Sequence, residues 1–186
     1  MTLMLEREVK LRFDNPEQAR EAILATGASP LRCRRLQEDC LLDTEDEMLR
    51  RRRCVLRIRT ESGKSLMTYK GPVQASSMKV RPEHETIIGD GEVMLRVFEE
   101  LGLHVWWRYE KYREEYSAED VTIALDETPI GTFVELEGEE AAIASVALRL
   151  GRGPADYVLA SYRSLFLEHR QGRGGHGADM VFDTPQ

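Results

Sequence analysis

The chain has 186 residues, 41% of them hydrophobic and 32% charged, enough for one domain with a sizeable core. Its net charge of −7 argues against a general nucleic-acid binder, which needs a broad basic face, but leaves room for a local basic pocket. Cys33, Cys40 and Cys54 are odd in number and lack metal-finger spacing, so neither a disulfide framework nor a zinc site is expected.

From Leu3 to Phe13 the chain alternates: Leu3, Leu5, Val9, Leu11 and Phe13 on one side, Glu6, Glu8, Lys10 and Arg12 on the other. That is a strand pattern. Asp14-Asn15-Pro16-Glu17 then offers a cap and an early helical proline, predicting a helix to about Thr26 with Ala19, Ile23 and Leu24 inward and Gly27 as its stop. Strands are predicted at Leu36–Leu42, Val55–Thr60, Leu66–Lys70 and Val80–Ile88, the last carrying Pro82 as an edge or bulge residue. Glu92–Leu101 fits a helix, with Val93, Val97 and Leu101 at helical spacing and Gly102 as its cap. Val105–Tyr116, Val121–Asp126 and Thr132–Glu137 read as strands, and Glu139–Leu150 and Asp156–His169 as closing helices. Residues 1–170 form the expected domain, and 171–186 a flexible glycine-rich tail. The N-terminus turns charged by Glu6, and no apolar run reaches the roughly 20 residues needed to cross a bilayer. A cytoplasmic protein without membrane or nucleic-acid partners is expected.

The polar face of these strands is almost uniformly ionic. Glu6, Glu8, Glu83, Glu85, Asp126, Glu135 and Glu137 stand against Lys10, Arg12, Arg57, Arg59, Lys70, Arg81, Lys111 and Arg113. A solvated outer face is one reading, in which exposed ion pairs are worth only about 0–1 kcal/mol each. Like-charged doublets at spacing two recur, however: Glu6/Glu8, Arg57/Arg59, Glu83/Glu85, Lys111/Arg113 and Glu135/Glu137. Such neighbours repel, so a solvated sheet gains nothing by repeating them. A multivalent ligand explains them better. Carboxylate pairs suit hard divalent cations, and arginine and lysine pairs suit phosphate oxygens.

Taken in order, these segments resemble the CYTH superfamily, the triphosphate tunnel metalloenzymes, in its bacterial class IV adenylate cyclase-like subgroup. The E-x-E-x-K signature stands as Glu6-Arg7-Glu8-Val9-Lys10, the R-x-R as Arg57-Ile58-Arg59, and the following lysine in Thr68-Tyr69-Lys70-Gly71-Pro72. R-x-E-x-E is Arg81-Pro82-Glu83-His84-Glu85, K-x-R is Lys111-Tyr112-Arg113, and the late acidic pair is Glu135-Leu136-Glu137, preceded by Asp126. Ser161-Tyr162 matches the closing helix of bacterial members. A lone E-x-E-x-K would be weak; the ordered series is specific.

The resemblance implies an α+β fold, an eight-stranded antiparallel β-barrel (the triphosphate tunnel) with helices packed outside. It implies a metal-dependent enzyme using Mg²⁺ or Mn²⁺, two ions, on a small-molecule triphosphate, either as an adenylate cyclase or as a triphosphatase. Glu6, Glu8 and Glu137 would hold one ion, and Asp126, Glu135 and Glu137 a second. Lys10, Arg57, Arg59, Lys70, Arg81, Lys111 and Arg113 would bind the triphosphate. Lys70 and Glu137 would carry catalysis, with Glu83 and Glu85 supporting the basic side chains. A monomer or homodimer is expected. The alternative is a non-catalytic polyphosphate- or nucleotide-binding module; retention of both acidic pairs and all the basic ones favours the enzyme.

One position departs from the pattern. Family members often carry tyrosine in a Q-x-D-x-Y-F-D segment, which here reads Gln37-Glu38-Asp39-Cys40-Leu41-Leu42-Asp43. Leu41 at that position argues against a tyrosine–lysine catalytic pair and efficient tripolyphosphate hydrolysis.

Other signals are set aside. Gly172–Gly177 spells G-x-G-x-x-G, without the preceding strand and following helix that a dinucleotide site requires. Arg50–Arg53 reads as a solvated turn that could draw anions to the tunnel mouth. Trp106 and Trp107, at adjacent strand positions, are expected on opposite faces, packing core and rim. His84 should lie outside the tunnel. Tyr162 could reach the tunnel or simply pack.

Overall fold

A computed structural model describes residues 5–171 and 179–183 of the chain. The alternation of its first strand, β1 (Leu5–Phe13), sorts two environments. Val9, Leu11 and Phe13 are buried on one face, and Glu6, Glu8 and Lys10 are buried on the other. Arg12 leaves this pattern: it is exposed, with its guanidinium 4.8 Å from the Phe133 ring.

The remaining strands are β2 (Ser29–Thr44), β3 (Val55–Glu61), β4 (Lys64–Lys70), β5 (Lys79–Ile88), β6 (Leu103–Ala118), β7 (Val121–Thr128) and β8 (Gly131–Glu137). They close in the order β1-β5-β4-β3-β2-β6-β7-β8, every pair antiparallel. Closure removes the open edges that a flat sheet of this size would expose. The expected barrel is present, and five α-helices among the described residues pack outside it or across its end. None is long and apolar enough to cross a membrane.

Local chemistry sets the connections. Ser62 and Gly63 both take positive φ (48° and 72°), as a two-residue hairpin between β3 and β4 demands. Helix α1 (Pro16–Ala25) is capped by the Asn15 side chain, which accepts from the Gln18 amide at 2.8 Å. It buries Ala19 and Ile23, while Leu24 is exposed rather than inward. The single turn α2 (Met48–Arg51) lies in the Arg50–Arg53 segment. Its first amides are satisfied by Asp43, which accepts from Leu49 N at 2.8 Å and Arg50 N at 3.1 Å. Helix α3 (Gly91–Glu100) starts at an Asp90 cap and leaves Val93, Val97 and Leu101 exposed. Helix α4 (Glu140–Arg149) buries Ile143, Val146 and Ala147.

Two elements differ from expectation. β2 begins at Ser29 rather than Leu36, because residues of low strand propensity are recruited by pairing with β6 along its whole length, through register shifts near Pro30 and Arg32. The last helix, α5 (Tyr162–Gln171), begins six residues after the expected Asp156. A 3₁₀ turn at Pro154–Asp156 precedes it, and Val158 then exchanges backbone hydrogen bonds with Lys10 on β1 (2.8 and 3.3 Å), which holds the chain extended.

Two apolar clusters result. One joins α1 and α4 to the outer faces of β1, β7 and β8. The other, at the barrel end beneath α5, gathers Leu41, Trp107, Tyr109, Phe133, Tyr162, Phe166 and Met180. Within the segment expected as a loose tail, residues 179–183 run along β6. Met180 is fully buried there and bonds backbone to backbone with Arg108 and Glu110. Residues 172–178, including the glycine-rich motif, and 184–186 lie outside the described residues.

Candidate functional site

The inward face of the barrel encloses a cavity of about 780 Å³. Glu6, Glu8, Lys10, Arg57, Arg59, Lys70, Arg81, Glu83, Glu85, Lys111, Arg113, Glu135 and Glu137 all line it. Period-two alternation explains how strands far apart in sequence bring these groups together: alternate residues of each strand share the face opposite the helix-covered core. His84, between Glu83 and Glu85, is exposed and stacks on Tyr69 outside.

Charges withdrawn from water must find partners. The basic groups stand on buried aspartates. Asp39 of β2 accepts from Arg59 at 2.9 and 3.3 Å, and Arg57 Nε lies 3.4 Å away. Asp126 of β7 accepts from Arg113 twice at 2.6 Å, from Lys111 at 2.8 Å and from the Tyr162 hydroxyl at 2.6 Å. Three of these bonds fall on Oδ2 and one on Oδ1, and Asp126 lies behind the residues that line the cavity. Against the effect of burial, the adjoining arginines and lysine hold both aspartates below the usual carboxylate range. Lys111 is pushed down to about 8 by burial and by the Arg113 guanidinium. Tyr162 therefore reaches the tunnel wall, and burial together with Asp126 raises its phenol well above the ordinary value.

The carboxylates collect along β1, β5 and β8. Glu8 faces Glu137 directly across the β1–β8 ladder, and Lys10 faces Glu135. The Lys10 ammonium lies between Glu8 and Glu135, at 3.0 and 3.1 Å. Lys70 lies between Glu6 and Glu83, at 2.5 and 2.9 Å, and Lys79 pairs with Glu8. Glu6 Oε2 is buried without a hydrogen-bond partner, with Arg81 Nε 3.6 Å away. Burial, then the Glu8 charge, pushes the Glu6 carboxyl up to about 7. Glu137 sits at the rim with no ion pair or hydrogen bond from its side chain among the described residues. Its carboxyl is also raised, by the surrounding protein and by Glu83, Glu8 and Glu135, against Lys70. Glu8 and Glu135 are instead held well below the usual range by their lysines, with Arg113 acting on Glu135 too, against the effect of burial.

Among the described residues no three histidine, cysteine or acidic side chains are already gathered in a ligand-like group; ammonium groups bridge the carboxylates. The donor chemistry nevertheless suits a hard divalent cation: an orphaned buried oxygen on Glu6, an unpaired Glu137, and carboxyls raised by one another.

Several wall residues were not anticipated. Asp39 and Gln37 precede Leu41 at spacing two on the same face of β2, and all three are buried. Lys79 continues the Arg81/Glu83 alternation backward by one step and was lost by starting that strand at Val80. Glu61 accepts from Gln37 at 2.6 Å and Arg35 at 3.1 Å, forming a separate network with no sequence signature. Trp106 and Trp107 both line the cavity, contrary to expectation. Leu41 pairs with Trp107 and Leu42 with Val105, so Trp106 is an extra residue in a β-bulge, and alternation fails there.

The family model described as the CYTH domain matches residues 4–148. The chain belongs to the CYTH domain family. A Methanocaldococcus jannaschii relative named "Putative adenylate cyclase MJ0240" is 34% identical to this CYTH chain over 135 residues, 72% of this chain and 77% of the relative. The solved structure of a Vibrio parahaemolyticus protein described as "a putative adenylate cyclase" superposes with TM-score 0.77 at 21% identity, covering 89% of this chain and 99% of that one. The Hippeastrum "Putative adenylyl cyclase HpAC1", described as having a dominant triphosphatase activity, superposes with TM-score 0.65 at 19% identity, covering 92% and 97%. At those identities the two structures establish the CYTH barrel fold alone.

Proposed function

We propose that this CYTH protein is a metal-dependent enzyme acting on the triphosphate of a nucleoside or organic triphosphate. The observation that carries the reading is the backing of the basic groups. Arg57 and Arg59 rest on Asp39, and Lys111 and Arg113 on Asp126, so their positions are fixed before ligand arrives and little ordering is left to be done on binding. A row of fixed guanidinium and ammonium groups in a low-dielectric cavity suits a chain of phosphates, arginine engaging the oxygens in pairs.

Glu6, Glu8 and Glu137, joined by Glu135, would hold Mg²⁺ or Mn²⁺, and two ions are proposed; when bound, they would neutralise phosphate charge and polarise the phosphorus under attack. Asp126, proposed with Glu135 and Glu137 for the second ion, also positions Lys111, Arg113 and Tyr162. Lys10, Lys70 and Arg81 reach from the carboxylate side and meet the same phosphate chain, while Glu83 and Glu85 orient Lys70 and, through Thr68, Arg57. The chain's residues therefore bind and align the triphosphate, and the nucleophile decides the product: an internal 3′-hydroxyl releases pyrophosphate, and water releases phosphate. The name of the Methanocaldococcus relative favours the first and the activity described for the Hippeastrum protein the second.

The test is product analysis with ATP, thiamine triphosphate and tripolyphosphate, each with Mg²⁺ and with Mn²⁺. Metal-dependent release of phosphate or pyrophosphate, lost in Glu137→Ala with the fold intact, is the expected result. Tight binding of all three without turnover would leave only a binding module.

A further inference from the structure

We infer that Lys79 is an internal counter-ion in the proposed cation site: it holds Glu8 until a divalent cation takes that carboxylate, then turns to the triphosphate. The inference rests on the triphosphate reading above and adds the residue that couples its two ligands.

Lys79, the first residue of β5, lies directly opposite Glu8 on β1, and Glu8 lies opposite Glu137 on β8. All three line the cavity. A lysine therefore stands in one row with two of the carboxylates proposed for a cation. Its ammonium pairs with Glu8 Oε1, the same oxygen that accepts from Lys10 at 3.0 Å. Two ammonium groups on one carboxylate bring the charge of a divalent cation to that place. Such a cation can use Glu8 only if one of them withdraws, because like charges crowded in a low-dielectric cavity repel strongly.

Lys10 is the one that stays. It also pairs with Glu135 at 3.1 Å, and its side chain is 3% exposed. Lys79 has no second carboxylate within ion-pair distance among the described residues, and Arg81 adds positive charge two positions along the same cavity-lining face. Its side chain is 11% exposed and borders the space that Lys10, Lys70 and Arg81 also line. Arg59 and Arg113 are held on buried aspartates and lack this freedom. A lysine ammonium is a point charge on a flexible four-carbon stem, so Lys79 can exchange a carboxylate for a phosphate oxygen without movement of β5. The exchange makes each ligand favour the other. With Glu8 engaged by a cation, Lys79 is released to the phosphates, and phosphates in turn hold Lys79 away from Glu8.

Wild type, Lys79→Met and Lys79→Arg are titrated calorimetrically with Mn²⁺ alone. They are also titrated with an imido-bridged tripolyphosphate, which resists hydrolysis, once in Mn²⁺ and once in EDTA. Lys79→Met should bind Mn²⁺ alone tighter than wild type, by about 5–150-fold, the range of such couplings. Lys79→Arg keeps the charge and should show no such gain. In Mn²⁺, Lys79→Met should bind the analogue about tenfold more weakly than wild type, through loss of one ion pair. In EDTA, where Glu8 keeps Lys79, the two should bind it alike, which also verifies the fold. Lys79→Gln replaces Lys79→Met if that variant fails to fold. Unchanged Mn²⁺ affinity in the variant would mean that Lys79 does not compete at Glu8, and equal losses in Mn²⁺ and EDTA would make it a fixed phosphate ligand. Either result overturns the inference and leaves the triphosphate reading standing. If wild type bound neither Mn²⁺ nor the analogue, both would fall.

Discussion

Tyr162 on α5 donates its hydroxyl to Asp126 on β7 at 2.6 Å, tying the helix that covers the barrel to the carboxylate that anchors Lys111 and Arg113. Removing the hydroxyl in Tyr162→Phe should destabilise the fold by about 1–2 kcal/mol, the range for a lost buried hydrogen bond. Asp126→Asn leaves two buried cations undercompensated and should cost more, about 3–5 kcal/mol. Urea unfolding of both variants checks this ranking. Equal stabilities would mean that Asp126 does not organise the basic wall.

The Asp39 pair offers a complementary test. In Asp39→Ala, Arg57 and Arg59 lose their shared anion, and the fold should weaken by several kcal/mol. Tripolyphosphate is expected to restore more stability to this variant than to wild type, since it brings negative charge to the same guanidinium groups. Thermal shifts with and without tripolyphosphate measure the difference. A smaller shift in the variant would place the phosphates elsewhere in the barrel.

Glu6 gives the metal-free protein a pH dependence. Its folded carboxyl, at about 7, lies above its ordinary value, so the folded state holds the proton more tightly than the unfolded chain. Stability from this group is present below the ordinary carboxylate range and is lost as pH rises to about 7. Glu137, raised as well, acts in the same direction. In EDTA the protein should therefore be less stable at pH 7.5 than at pH 5, by on the order of 1–3 kcal/mol. Glu6→Gln should flatten that slope. A wild-type profile that is already flat, or that rises with pH, would contradict the crowding of Glu6 against Glu8.

Much of this site was legible because charge doublets at spacing two are a strand-period signal, and period two places alternate residues on one face. Glu6/Glu8, Arg57/Arg59 and Glu135/Glu137 needed nothing else. Pairing across strands was harder to read. Asp39 and Asp126 each adjoin a second acid, Glu38 and Glu127, in no same-face doublet, and only the paired strands show that each stands beneath two cations. Trp106 escaped because one inserted residue breaks the alternation from which its face was inferred. The late start of α5 escaped too, since Tyr157-Val158-Leu159-Ala160 suits a helix locally and is held extended by a tertiary bridge to Lys10.

Lys111 sets an alkaline limit on ligand binding. Burial and Arg113 bring its ammonium down to about 8, so its charge is lost as pH climbs through that value, while the arginines stay charged. Tripolyphosphate affinity should fall between pH 7 and 9, by about tenfold if one ion pair is lost. Lys111→Arg should abolish the fall. Persistence of the alkaline limb in that variant would assign it to a different group.

Met180 anchors the chain's last described segment in the second apolar cluster. It is fully buried, its carbonyl accepts from Glu110 N at 2.8 Å, and its amide donates to the Arg108 carbonyl at 3.0 Å. The same cluster contains Trp107 and Tyr109, which line the cavity. Met180→Ala leaves a void there and should destabilise by about 2–5 kcal/mol. Truncation after residue 178 also removes both backbone hydrogen bonds and uncovers β6, so it should destabilise more than the point substitution. Urea unfolding separates these outcomes. Wild-type stability in the truncated chain would show that residues 179–183 rest on the barrel without supporting it.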